Sequence, residues 1–238
     1  SIDFPQEVKQ RPIEPVRMRA NAPLIEKAAK LLMNAKRPLV FCGGGAKSSG
    51  AWPEIMAFLE KYKIPVATSM AGIGTVPISH PLCLGGPSYS SGEVFHVAIK
   101  EADVVLALGP AFSGLDGFGL PPLWSGAIKF IHVNIDPLHL GLNVVPEVPV
   151  QADVKTFMDQ LAAQLQKNDF KSDTRWDSWI KRLQSLKEGR LARLDRDAES
   201  KDKIMHQAAL ARELGRIKSQ LDEDVIIVMD GGNTVLYM

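Results

Sequence analysis

Short apolar runs recur along this chain, each closed by small residues and followed by a stretch with helical spacing. The first is PLVFC at residues 38–42, which contains no polar position that would mark a solvent face. Residues 64–70 (IPVATSM), 103–109 (DVVLALG), 128–136 (IKFIHVNID) and 148–153 (VPVQAD) continue the series. Between them lie amphipathic segments. Residues 22–37 place Leu24, Ile25, Ala28, Leu31 and Leu32 on one helical face, and residues 51–63 do the same with Ile55, Met56, Leu59 and Tyr62. Further helices are predicted over residues 93–102 and 154–167. Strands that are apolar on both faces and separated by helices imply a sheet covered on each side, which is the signature of parallel pairing. Residues 22–167 therefore predict one α/β domain, doubly wound, with a mainly parallel sheet and helices on both faces.

Beyond residue 167 the character changes. The stretch to residue 203 is highly charged, with Trp176, Trp179, Ile180 and Leu183 as a narrow apolar stripe. It predicts a surface helix followed by a linker, a helical C-terminal extension of the domain. Residues 206–221 predict another helix, and DVIIVMDGGNT at 224–234 a further strand. A lone strand cannot bury its faces, so residues 206–238 are expected to be the truncated start of a second α/β unit. Residues 1–20, with three prolines and no sustained period, predict an extended segment.

Composition narrows the function classes. The 238 residues carry a net charge of +1, are 45% hydrophobic and 23% charged, and so leave no electrostatic footprint for nucleic acid or an anionic membrane. No apolar run approaches the ~20 residues of a membrane span. The opening SIDFPQEVKQ has neither the basic start nor the apolar core of a signal peptide. The two cysteines, Cys42 and Cys83, each sit in an apolar stretch and predict buried free thiols of a reducing, cytoplasmic compartment.

In an open parallel sheet, ligands bind beyond the carboxyl ends of the strands near the point where strand order reverses. The candidate binding residues are therefore Gly43, Gly44 and Gly45 after the first run, Ser69 and Met70 after the second, Gly109 after the third, and Asn134, Ile135 and Asp136 at the fourth. Asp153 follows the fifth, at the start of a helix that it is expected to cap. Glycines at such a turn let backbone N–H groups approach a diphosphate; the alternative is a tight turn with close helix–strand packing and no ligand. Asp136 precedes a proline and has the same capping alternative. The dinucleotide pattern G-x-G-x-x-G lacks its third glycine and the acid at the second strand end, which argues against NAD. The phosphate-binding G-K-[ST] pattern fails at Ala46. The five histidines do not cluster, no pair has metal-ligand spacing, and no G-x-S-x-G elbow occurs. No catalytic residue and no metal ligand is assigned.

The order RPLVFCGGGA, KIPVATSMAGIGTVPISHPLCLGG, ADVVLALGPAF, FIHVNIDPLHLG, VPVQADVKTFMDQL resembles the central domain of thiamine-diphosphate-dependent enzymes. The nearest likeness is to the group containing acetolactate synthases, pyruvate oxidases, benzaldehyde lyases and 2-hydroxyacyl-CoA lyases. The resemblance implies a Rossmann-like, DHS-type fold over residues 22–167. It also implies that residues 1–21 leave an N-terminal pyrimidine-binding domain, that 168–205 are a charged helix and linker, and that 206–238 begin a C-terminal diphosphate-binding domain. The chain would then be the middle of a longer lyase or transferase acting on 2-oxo acids or related acyl donors, and inert by itself. The cofactors implied for such an enzyme are thiamine diphosphate and Mg2+, held largely by the outer domains, with Gly232, Asn233 and Thr234 as a first contact to the diphosphate. The implied partners are those two domains and further copies of the enzyme, as a homodimer or homotetramer. Relatives that hold FAD in the central domain carry an arginine in a G-x-R-F sequence, where this chain has Gly109-Pro110-Ala111-Phe112. That absence argues against FAD and for an ADP- or CoA-type nucleotide, or an empty crevice. Two alternatives remain open on residue chemistry alone: a stand-alone nucleotide-binding module without catalysis, and an assembly domain in which Trp176, Trp179 and residues 235–238 are exposed interface groups.

Overall fold

The apolar runs pair side by side, all in one direction. The computed structural model describes residues 16–87, 92–172, 174–200 and 205–221. Its strands are β1 (Pro38–Cys42), β2 (Val66–Thr68), β3 (Val104–Leu108), β4 (Lys129–Asn134) and β5 (Val148–Gln151). They form one sheet in the order β2-β1-β3-β4-β5, and every pairing is parallel. A single register row, Val66, Val40, Leu106, Ile131 and Val148, crosses all five strands.

Side chains alternate across a sheet, so each strand feeds two cores. Val40, Cys42, Leu106, Leu108, Ile131 and Val133 belong to one cluster, which also contains Ile25, Leu32, Ile55, Leu59, Phe157 and Leu161. Leu39, Phe41, Val105, Ala107 and Phe130 belong to the other, with Val94, Phe95, Ile99, Trp124 and Trp179. Two buried faces explain why β1 and β3 show no polar alternation. Truncating a fully buried leucine such as Leu106 to alanine would cost about 2–5 kcal/mol.

Helix boundaries follow local chemistry. Helix α1 (Ala22–Met33) starts with proline in its first turn, and the Asn21 carbonyl accepts from the Leu24 and Ile25 N–H groups. A short helix α2 (Gly44–Ser48) follows β1, and α3 (Trp52–Tyr62) stops at Lys63, which is left-handed with φ 55°. Helix α4 (Gly92–Glu101) leads into β3. Helix α5 (Val154–Lys167) is capped by Asp153, whose carboxylate accepts the Thr156 N–H at 3.1 Å.

The charged stretch after α5 holds to the same core. Helix α6 (Asp177–Ala198) lies against α4, and Glu101 takes two contacts from Arg182 at 3.1 and 2.5 Å. Trp176 and Trp179 are buried, and their indole N–H groups donate to Ala35 O (2.9 Å) and Pro38 O (3.1 Å). The alternative in which Trp176 and Trp179 are exposed interface groups is thereby corrected: each indole found both an apolar wall and a carbonyl at the amino-terminal end of the sheet. Helix α7 (Gln207–Ser219) packs on α6. The expected strand at 224–234, the extended residues 1–15 and the contacts assigned to Gly232, Asn233 and Thr234 lie outside the described residues. So do residues 235–238.

Candidate functional site

From β1 the chain moves to β2 on one side and then returns to β3 on the other. The strand order therefore reverses between β1 and β3, where the carboxyl ends leave a crevice. A cavity of about 450 Å³ opens there, lined by residues from all four neighbouring strand ends. Gly44 and Gly45 come from β1, Ser69 and Met70 from β2, Gly109 from β3, and Asn134 and Asp136 from β4. Ile135 is half exposed and, like Gly43, which packs on Gly109 and Pro110, is not among the lining residues. Asp153 is elsewhere. Its carboxylate takes both contacts from Arg17 Nη1, at 3.0 and 3.1 Å, while the same nitrogen reaches Ser49 O. Its charge ties the segment before α1 to the end of α2.

The floor of the crevice is backbone packed on backbone. The Gly43 N–H donates to Leu108 O at 2.9 Å and the Gly45 N–H to Gly109 O at 3.0 Å. Side chains are excluded between them. A Cβ on Gly43 would stand 2.3 Å from Pro110 Cα, and one on Gly109, where φ is +67°, 2.6 Å from Gly45 Cα. Two of the three tandem glycines thus spend their donors on the neighbouring loop, and closeness to that loop is what demands glycine.

Beyond Gly109, the loop is held from β4. Pro110 O accepts from Asn134 Nδ2 and meets His132 Nε2, both at 3.0 Å. A carbonyl only accepts, so Nε2 carries the proton of the neutral imidazole and Nδ1, buried without a partner among the described residues, does not. Burial holds the His132 pKa below the ordinary range, against a weaker opposing pull from the Pro110 carbonyl. Phe112 is left-handed (φ 51°) and its ring stacks on Phe41 and meets His132 edge-on. This pins the turn that follows.

That turn carries groups the sequence reading missed. Ser113 and Asp116 line the crevice and form a reciprocal cap, with Asp116 Oδ2 accepting both Ser113 N–H and Oγ–H at 3.2 Å. The Ser-x-x-Asp spacing was the available signal. Asp116 is buried, its Oδ1 has no hydrogen-bond partner among the described residues, and burial raises its pKa despite the Ser113 contacts. At the rim, His139 Nδ1 lies 3.2 Å from Asp136 Oδ2, while Asp136 Oδ1 caps Leu138 N–H at 2.9 Å. Among the described lining residues His139 alone can carry positive charge, against two carboxyl groups.

The described residues do not form a thiamine diphosphate site. Diphosphate needs cations or free N–H donors, whereas the Gly45 and Gly109 amides are spent on Gly109 O and Val133 O, and two acids face a single histidine. Among the described residues no group of three His, Cys, Asp or Glu side chains is placed to hold a metal ion. No helix among them is long and apolar enough to cross a membrane.

Compared with known families, residues 25–161 match the one described as "Thiamine pyrophosphate enzyme, central domain". The chain belongs to this family. The match spans the whole sheet from α1 into α5, so the doubly wound parallel fold is the family's central-domain fold. Individual relatives agree. The "Probable acetolactate synthase large subunit" of Methanocaldococcus jannaschii is 32% identical over 90% of this chain and 35% of its own length. Human "2-hydroxyacyl-CoA lyase 1" is 30% identical over 87% of this chain and 34% of its own. A "3D-(3,5/4)-trihydroxycyclohexane-1,2-dione hydrolase" of Clostridium perfringens is 27% identical over 98% of this chain and 39% of its own. The chain spans little more than a third of the length of these relatives.

Proposed function

We propose that this chain supplies the central domain of a thiamine-diphosphate- and Mg2+-dependent lyase or transferase acting on 2-oxo acids or related acyl donors. Its own residues contribute scaffold and a ligand crevice, and cofactor chemistry belongs to flanking domains of the same cytoplasmic enzyme, assembled as a homodimer or homotetramer. The identity to acetolactate synthase and 2-hydroxyacyl-CoA lyase relatives supports the reaction class. Two buried reduced thiols suit the compartment.

For the crevice itself, one observation carries the reading: small residues from four strand ends surround a 450 Å³ cavity at the point where strand order reverses. Ser69 Oγ, Ser113 Oγ, Asn134 and Asp136 are suited to the hydroxyls and ring nitrogens of an adenosine group. The two acids, and the Gly45 and Gly109 amides already donated to neighbouring carbonyls, suit a buried diphosphate poorly. The ligand we favour is therefore the adenosine end of an ADP- or CoA-type nucleotide, with the 5′-diphosphate (and the ribose 3′-phosphate of coenzyme A) outside, and FAD is disfavoured by Ala111. Calorimetry of the chain with ADP, coenzyme A, FAD and NAD tests this. ADP or coenzyme A should bind more tightly than FAD or NAD, and a preference for either of the latter would overturn the reading. Turnover of pyruvate by this chain with thiamine diphosphate and Mg2+ would overturn the scaffold role.

A further inference from the structure

Asp116 occupies an unusual position for an acid that merely caps a turn. Its backbone carbonyl holds Trp124 Nε1 at 2.6 Å, and its Oδ2 already accepts both Ser113 donors. The fold thus fixes the residue from two directions and leaves Oδ1 buried and unpartnered in the wall of the crevice. A charged acceptor deprived of both water and a partner destabilises the ligand-free state, and a donor that reached it would remove that penalty. Asp116 lines the cavity, so a donor that enters the crevice wall approaches this carboxyl group. With Asp136 as the second lining acid, the local field favours donor-bearing, non-anionic groups and opposes phosphate.

We propose that Asp116 is a specificity-determining residue of the crevice. Its free oxygen accepts an amino or hydroxyl hydrogen from the adenosine portion of the ligand, and its charge keeps phosphate out. This rests on the reading that the crevice takes an adenosine group, and adds which residue selects it and what it rejects.

The test is calorimetry on the 238-residue chain with adenosine, ADP and inorganic pyrophosphate. Wild type should bind adenosine at least as tightly as ADP and show no heat with pyrophosphate. D116N keeps the size of the side chain but loses the charged acceptor, and should weaken adenosine about tenfold while weakening ADP less, because repulsion of the phosphates is relieved. ADP binding tenfold tighter than adenosine, pyrophosphate binding, or equal adenosine affinity in D116N would overturn the role of Asp116 while leaving an adenosine-binding crevice standing. Absence of binding by both adenosine and ADP to wild type would overturn both. If D116N fails to fold by circular dichroism, the wild-type ranking of the three probes still decides.

Discussion

Gly43→Ala should destabilise the protein far more than Gly44→Ala, although the two glycines are adjacent. At Gly43 the added methyl would meet Pro110 Cα and N at 2.3 Å and Gly109 O at 2.5 Å. All three are backbone atoms, and Pro110 is fixed in turn by His132 and Asn134. No flexible side chain can give way, so either the β1 turn or the β3 loop must shift. Forced insertion of a methyl group into packed structure costs about 1–3 kcal/mol, and the rigidity here places Gly43→Ala near the top, at about 3 kcal/mol. At Gly44 the nearest atom is Ala71 Cβ at 3.2 Å, tight but adjustable. There the reduced freedom of the unfolded chain returns about 0.4–1 kcal/mol, leaving Gly44→Ala close to wild type. For a protein of this size the larger penalty corresponds to a melting shift of about 6–12 °C. Urea unfolding and calorimetric melting of both variants measure the contrast. Equal stability of the pair, or a shift below about 2 °C for Gly43→Ala, would refute the idea that loop-to-loop contact is what requires glycine at the reversal point.

Two further outcomes follow from positions outside that contact. Lys63→Gly should stabilise the chain by about 0.5–1 kcal/mol in urea unfolding, because Lys63 ends α3 at φ 55°, a region that penalises any Cβ. His132→Gln should flatten the acid side of the stability profile. Burial lowers the native His132 pKa, so the unfolded chain binds more protons once pH falls below about 6.5, and stability is lost from there down to the native pKa. Asp116, whose pKa is raised, contributes with the opposite sign above its unfolded value, so the measured quantity is the difference between variant and wild-type urea unfolding across that range. Identical slopes would mean that His132 does not titrate on unfolding.

The fold was legible because its strands advertise two buried faces. PLVFC and VVLAL have no polar position to spare, and each observed strand falls within a predicted run. Trp176 and Trp179, at the start of α6, could not be placed from sequence for an equally physical reason. A narrow stripe on a charged helix has the same pattern whether it faces water, a partner or the end of a sheet, and only Ala35 O and Pro38 O, about 140 residues earlier in the chain, decide between them. Periodicity carries no information about such distant acceptors.

The crevice was legible in position but not in chemistry. Strand ends can be located from composition, and seven of the residues so chosen, Gly44, Gly45, Ser69, Met70, Gly109, Asn134 and Asp136, do meet around one cavity. What glycine does there could not be read, since GGG looks the same whether it admits a phosphate or another loop. The structure distinguishes them through the donors: Gly43 and Gly45 amides point to Leu108 O and Gly109 O. With those two amides spoken for, an arginine at position 111 would have brought a permanent positive charge to the pocket, and alanine stands there. The alanine at 111, the pairing of the Gly43 and Gly45 amides and the buried acid at 116 therefore point the same way. Each disfavours a diphosphate, and together they support the proposed recognition of the adenosine end of a nucleotide.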